Sequence, residues 1–307
     1  MEQLDLNKAV ALFDLDSAVY RSGFACESKS YFVWQGDTLI SAVKTMTEAN
    51  EIAKVLGFPE DIEIRHQQTV EPVENALANM KNIIERTKSK FNCPWELYLT
   101  GKGNFRYDLA KTLPYKGNRE LMLKPVHYGA LRNYAMKWHG ARNIEGMEAD
   151  DEIGIRSTEL IAEGKIPIIA SIDKDLKQLG GWNYDWVKDV LTYIPELEAK
   201  RFYYTQILTG DRTDNIPGID GVGPKTAEKM LASARNEREM LKIVKQAYKD
   251  NRILERLPEI GTLLWLQRTR EIKTWGNYTS DPGVCAEHSD LERSVWQETR
   301  TDTESTS

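Results

Sequence analysis

The sequence has few of the residues that would staple or anchor a fold. Three cysteines (Cys26, Cys93, Cys285) and four histidines are scattered over 307 residues, which argues against a disulfide framework or a thiolate metal site. No apolar run approaches the roughly 20 residues that a membrane helix requires, so no membrane partner is expected. The opening residues, MEQLDLNKAV, carry neither a basic region nor a long apolar stretch, and no secretory signal is expected there. Hydrophobic residues make up 41% and charged residues 29%, values that exclude collagen-like and disordered chains. A chain this long buries roughly 75% of its extended surface and holds a core unaided. A soluble, cytoplasmic protein is expected, and a monomer.

The net charge of −6 argues against a nucleic-acid partner only while the charges are averaged. Residues 281–307 carry seven acids against two arginines. Residues 101–142 carry nine Lys and Arg against Asp108 and Glu120. A basic segment on an acidic chain points to a phosphate-bearing partner more directly than the total does.

VALFD (10–14), WELYLT (95–100), IPIIASI (166–172) and DVLTYI (189–194) read as strands. The third is β-branched and almost wholly apolar, as in a parallel strand covered on both faces. Residues 73–90 and 145–163 read as helices. Alternating strands and helices predict an α/β fold with a parallel sheet. After about residue 205 the strand pattern stops, and helices with glycine turns run to about 276. A helical region over 206–280 is therefore expected, followed by an acidic, weakly ordered tail over 281–307.

The acids fall where strands end and helices begin. Asp14 closes VALFD, with Asp16 two residues on. Glu148, Asp150 and Asp151 cluster in GMEADDEIG. Asp173 and Asp175 follow IPIIASI, and Asp211 and Asp214 lie in LTGDRTDNIPG. In open α/β sheets ligands bind outside the carboxyl ends of the strands. Glu148 and Asp151, three apart, share a helix face; Asp150 joins them only if the first turn aims it inward. Any one of these acids could be a simple helix cap, but a set of them in one cleft would repel unless neutralised. Oxygen donors alone suit a hard ion, Mg²⁺ with Mn²⁺ as its substitute. Two such ions about 4 Å apart support in-line attack of water on a phosphodiester.

FDLDSAVYR, YKGNR, MEADDEIG, ASIDKDLKQL and LTGDRTDNIPGIDGVGPKTAEKML resemble, in order, the motifs of the 5′-nuclease (flap endonuclease) superfamily. The likeness runs from about residue 10 to 235. It is strongest to bacteriophage 5′–3′ exonucleases and to the 5′-nuclease domain of bacterial DNA polymerase I. The resemblance implies a PIN-like nuclease domain over 1–205, with a basic arch over about 101–142. It implies two Mg²⁺ ions: Asp14, Glu148 and Asp150 hold one region, and Asp151, Asp173, Asp175 and Asp214 complete the pair. Asp211 is an outer member and Asp16 a further one. One departure stands out: the family carries an acid after its second strand, where this chain reads Thr100 and Gly101.

By the same resemblance, Lys116 and Arg119 touch the scissile phosphate and stabilise charge developing in the transition state. Arg21 matches a position near that phosphate, and Tyr115 would stack on a base. The run GIDGVGPKTA is not a P-loop, because Pro224 separates the last glycine from Lys225 and no strand precedes it. It fits a helix–three-turn–helix, whose glycines, Gly221 and Gly223, let backbone N–H groups approach a phosphate. In the family this element binds duplex DNA and often holds K⁺ on turn carbonyls, with Lys225, Thr226 and Lys229 as contacts here. The expected activity is metal-dependent 5′–3′ exonuclease action on DNA with a 5′ end or 5′ flap. A nuclease-fold DNA-binding protein without catalysis and a PIN-like ribonuclease are the alternatives.

Overall fold

A computed structural model describes residues 4–57, 60–119 and 123–275. β1 (Ala9–Asp14) runs into α1 (Asp16–Phe24). β2 (Glu27–Gln35), β3 (Thr38–Val43), α2 (Met46–Val55), β4 (Ile62–Val70) and α3 (Val73–Lys88) precede β5 (Trp95–Thr100). Then come α4 (Arg106–Leu109), α5 (Tyr128–His139), β6 (Arg142–Ile144), α6 (Ala149–Ala162), β7 (Ile166–Ala170), β8 (Gly181–Asp185) and β9 (Val190–Ile194). The chain continues as α7 (Glu196–Thr209), the short strands β10 (Gly210–Asp211) and β11 (Ile216–Pro217), α8 (Pro224–Leu231), α9 (Glu237–Asp250) and α10 (Leu257–Leu264).

Packing divides the chain into two compact units. The first takes in the described parts of Met1–Ser17, Lys88–Met122 and Gly140–Ser307; the second is Ala18–Thr87 with Leu123–His139. In the first, six strands form one sheet in the order β6-β5-β1-β7-β8-β9. All neighbours pair in parallel except β9, which runs antiparallel to β8. The expected α/β class with a central parallel sheet is thus observed. β1 lies in the middle and is buried at every position, which is why AVALFD is apolar until its last residue. Alternate side chains leave it in opposite directions. Val10 and Leu12 pack with Ile153 and Leu160 of α6, whereas Phe13 meets the edges of Trp95 and Trp186 at 6.1 and 6.0 Å. Gly154 of α6 leaves room for the backbone at Gln267: an added Cβ would stand 2.3 Å from the Gln267 carbonyl oxygen.

The expected boundary near residue 205 falls inside α7, and the helices on both sides of it lie in the same compact unit as the sheet. Tyr203, Ile207 and Leu208 of α7 share a core with Leu231, Met240, Val244 and Ile260. The acidic tail over 281–307 lies outside the described residues.

The second unit contains an antiparallel sheet, β3-β2-β4, that the sequence pattern did not disclose. The basic stretch 101–142 does not stay in one body. Residues 101–119 belong to the first unit and 123–139 to the second. Among the described residues, no helix is long and apolar enough to cross a membrane.

Candidate active site

Asp14 ends β1 at the carboxyl edge of the sheet, beside Thr100 at the end of β5 and Ser171 just after β7. It is 4% exposed. Its Oδ1 accepts the Asp16 N–H at 3.0 Å and its Oδ2 accepts the Ser171 hydroxyl at 2.8 Å. Ser171 Oγ accepts the Asp173 N–H at 2.9 Å, and Asp173 Oδ1 accepts the Asp175 N–H at 2.9 Å. This chain of turns explains why the acids recur at a spacing of two: each fixes the backbone that carries the next. Burial above all, then the charges of Asp16 and Asp173, push the Asp14 carboxyl up to about 7. Asp150, in the first turn of α6, is pushed well up by burial and then by Asp14, Asp173 and Glu148. Asp14, Asp150 and Asp173 therefore stand within one mutual field.

Beside them, Lys116 Nζ donates to Glu148 Oε1 and lies 3.7 Å from Asp214 Oδ2. Arg119 Nη2 donates to Asp214 Oδ1 at 2.5 Å, and its Nε to the Thr213 carbonyl at 3.0 Å. Burial opposes the Glu148 charge, but Lys116 and Arg106 outweigh it and hold the carboxyl below its ordinary value. Asp214 stays raised, with burial its main cause. Lys116 adopts φ of 54°, and its N–H donates to the Asp214 carbonyl at 2.8 Å, so backbone and side chain are both tied to this acid's loop.

A third group joins Asp175, Asp211 and Lys174. Lys174 Nζ lies 2.6 Å from Asp211 Oδ2 and 3.3 Å from Asp175 Oδ1. Gln206 Nε2 donates to Asp175 Oδ1 at 2.7 Å. Burial, then Asp173, pushes Asp175 up to about 6. Burial pushes on Asp211 too, yet bonds from Lys174 and the Thr213 N–H leave it lowered. The loop bearing Asp211 and Asp214 is pinched shut by β10 and β11. There Gly210, at φ of +68°, passes so close to Gly218 that a Cβ would lie 2.3 Å from its nitrogen.

Two sequence readings change, Asp151 and Tyr115, and two gain context, Arg21 and the missing acid. Asp151 does not face this group. Fully buried, it accepts Arg106 Nη1 and Nη2 at 2.6 and 2.8 Å, the Gln267 N–H at 3.0 Å and the Glu148 N–H at 3.3 Å, so both oxygens are taken up within the protein. The helix turn that sends Asp150 into the cleft sends its neighbour into the core. Tyr115 is not free to stack on a base. It is 4% exposed, its ring meets Tyr107 edge-on at 5.7 Å, and its hydroxyl lies 2.9 Å from Asp214 Oδ2 and 3.2 Å from Glu148 Oε2. Arg21 is exposed on α1, within the second compact unit. Finally, the missing acid has a steric cause. A Cβ on Gly101 would lie 2.4 Å from the Ile144 carbonyl oxygen and 2.7 Å from Glu145 Oε1. Thr100 serves the fold instead, its hydroxyl accepting the Ala149 N–H at 2.9 Å and its N–H donating to Asp16 at 3.0 Å.

Sequence reasoning missed Arg106, Lys174 and Ser171. Arg106 sits in the basic stretch with no local sign of burial. Lys174 sits inside the DKD motif, where its charge was the available clue. Gly221, Gly223, Lys225, Thr226 and Lys229 are all exposed around the start of α8, with Pro224 as its first residue.

The donors suit a hard cation, since the facing groups are oxygens and Asp150 is pushed up by the charges of Asp14 and Asp173 after burial. Among the described residues, no three His, Cys, Asp or Glu side chains converge as a finished ion cage. Lys116, Arg119 and Lys174 carry the neutralising charge.

No protein-family model matches the chain. DNA polymerase I of Rhizobium leguminosarum is 37% identical over 139 residues, 41% of this chain and 14% of that protein. Flap endonuclease Xni of Shewanella piezotolerans is 28% identical over 188 residues, 56% of this chain and 74% of that protein. The 5′-3′ exonuclease of Buchnera aphidicola subsp. Schizaphis graminum is 29% identical over 208 residues, 62% of this chain and 64% of that protein. The chain spans only 14 and 16% of the length of two polymerase I relatives. In three dimensions, the T5 D15 protein co-crystallised with metal ions superposes with a TM-score of 0.51 at 13% identity, over 94% of this chain and 97% of that one. The fold is thus that of a parallel-sheet α/β protein with an acidic site at its strand ends. Within that class, the resemblance to the 5′-nuclease superfamily read from the motifs stands, carried by relatives named as 5′-3′ exonuclease, flap endonuclease and DNA polymerase I.

Proposed function

We propose that this protein is a divalent-metal-dependent 5′–3′ exonuclease that also cuts 5′ flaps in DNA. One observation carries the reading: acids from the ends of β1 and β7, the start of α6 and the 211–214 loop gather on one edge with Lys116 and Arg119 among them. The relatives' names support the same activity. Asp14, Glu148, Asp150, Asp173, Asp175, Asp211 and Asp214, with Asp16 alongside, would hold two Mg²⁺ ions, or Mn²⁺ in their place. Bound there, the ions would supply an activated water and stabilise the leaving oxygen.

The chain's own residues divide the remaining work. Lys116 and Arg119 neutralise charge that develops on the cleaved phosphate, and their carboxylate partners aim them before substrate arrives. The Tyr115 hydroxyl bridges the Glu148 and Asp214 carboxylates. Arg21 would steer the phosphate. Asp151 acts through Arg106, as a support for α6. The glycine turn at 221–223, with Lys225, Thr226 and Lys229, grips duplex phosphates as a helix–three-turn–helix and takes K⁺ on its carbonyls. A nuclease domain over 1–205 and a duplex-binding region over 206–280 would then be functional divisions rather than packing units. The protein would act as a monomer in the cytoplasm, that of the host if its origin is a phage.

The test is cleavage of nicked and 5′-flap duplexes labelled at either end, with Mg²⁺ or EDTA and alongside single-stranded RNA. Label-end and product length report polarity. Asp173→Asn should abolish cleavage and leave DNA binding in place. Binding without cleavage by the wild-type protein would leave a DNA-binding protein, and preference for RNA would leave a ribonuclease.

A further inference from the structure

We infer that Lys174 is the resident counter-ion of the Asp175 and Asp211 carboxylates and sets how tightly that part of the site takes a divalent cation. The inference rests on the metal-dependent reading above and adds a positioning residue to it. Lys174 Nζ stands 2.6 Å from Asp211 Oδ2 and 3.3 Å from Asp175 Oδ1, so one ammonium bridges two acids from separate segments. The two acids are held independently of it. Gln206 donates to Asp175 Oδ1 at 2.7 Å, and the Thr213 N–H donates to Asp211 Oδ1 at 2.7 Å. Withdrawing the ammonium would therefore leave both carboxylates in place, with Asp211 Oδ2 facing the gap.

The burial is lopsided in a way that fits a displaceable ion. The Asp211 side chain is 4% exposed, whereas that of Lys174 is 55% exposed. An unpaired carboxylate at that depth is costly, so without a cation Asp211 needs its lysine. A lysine is a point charge on a flexible four-carbon stem and can retreat into water. Its place between Asp173 and Asp175 also keeps the head within reach after it leaves. A divalent cation binding both acids must displace this ammonium. The lysine therefore stabilises the ion-free protein and competes with the ion, two effects of opposite sign on removal. An ordinary surface ion pair would affect stability slightly and ion binding not at all.

The experiment measures Ca²⁺ binding by calorimetry and thermal unfolding in EDTA for the wild type, K174M and K174R. K174M should bind Ca²⁺ on the order of tenfold more tightly while unfolding at a lower temperature in EDTA. K174R, which keeps the charge, should stay near the wild type in both. K174Q replaces K174M if the latter does not fold. Unchanged or weaker Ca²⁺ binding by the uncharged variant, beside normal binding by the wild type, overturns the inference alone. A wild type that binds neither Ca²⁺ nor Mg²⁺ overturns it together with the metal-dependent reading.

Discussion

The Arg106 guanidinium grips both oxygens of Asp151 at 2.6 and 2.8 Å, with neither side chain reaching solvent. The same guanidinium donates to the Leu263 and Trp265 carbonyls at 2.8 and 2.6 Å, so it ties the start of α6 to the end of α10. Removing one member of such a pair strands the other. Arg106→Met should cost about 3–5 kcal/mol of stability. Arg106→Met with Asp151→Leu should recover part of that loss, because no charge is then left unpaired. Urea unfolding of the two variants measures the difference. A double variant less stable than the single one by the full cost of Asp151→Leu would mean the pair is not coupled.

A pH dependence follows from Asp14 and Asp175, raised to about 7 and about 6 by burial first. In the unfolded chain each titrates near the ordinary value of 3.8. Between those values the folded state holds protons that the unfolded state has released. Stability from these groups is therefore present at low pH and declines as pH rises from about 4 to about 7. Glu148 and Asp211, which are lowered, act in the opposite sense at the acid end. In EDTA, Asp14→Asn should gain melting temperature over the wild type at pH 7.5 and keep only a smaller advantage at pH 5. Thermal scans at both pH values report it, and an advantage of equal size at the two would show that the Asp14 carboxyl is not raised.

Much of this was legible from the sequence for a simple reason. Strands buried on both faces must be apolar throughout, so AVALFD and IPIIA announce themselves, and the acid that ends each apolar run marks the sheet edge. β2, β3 and β4 lacked that signal. ESKSYFVWQ is mostly half-exposed, so neither a continuous apolar run nor a clean alternation is imposed on it. The site was legible to the same degree. Asp150 and Asp151 are adjacent in sequence but about 100° apart on a helix, and only the position of Arg106, 45 residues away, decides which of them faces the core. No local pattern carries that information. Tyr115 was misread for the same reason, since its burial depends on α7–α10 packing.

Gly101 offers a direct check on the missing acid. Its N–H already donates to the Ile144 carbonyl at 2.6 Å, and an added Cβ would stand 2.4 Å from that same oxygen. Gly101→Asp should therefore destabilise the β5–β6 edge by about 1–3 kcal/mol, the cost of forcing atoms into a filled site. It should not tighten Ca²⁺ binding, because the new carboxylate would meet Glu145 rather than an open cleft. Calorimetry and thermal unfolding on one preparation separate the two effects. A Gly101→Asp variant of unchanged stability with tighter Ca²⁺ binding would show that this edge yields more easily than its packing indicates.

Lys225 tests the proposed duplex grip at a distance from the chemistry. It is exposed in the first turn of α8, after Gly223 and Pro224, so its substitution removes a charge without disturbing packing. Each phosphate that a lysine neutralises releases condensed counterions, and affinity then falls steeply as salt rises. Lys225→Ala should weaken binding about equally on flap duplexes of unrelated sequence and reduce the salt slope by about one unit. Single-turnover cleavage at saturating DNA should change little. A salt titration of affinity in Ca²⁺, where binding proceeds and cleavage is expected to stall, measures the slope directly. If the slope is unchanged while cleavage is lost, Lys225 acts on the cut bond rather than on the duplex, and the glycine turn needs a different role.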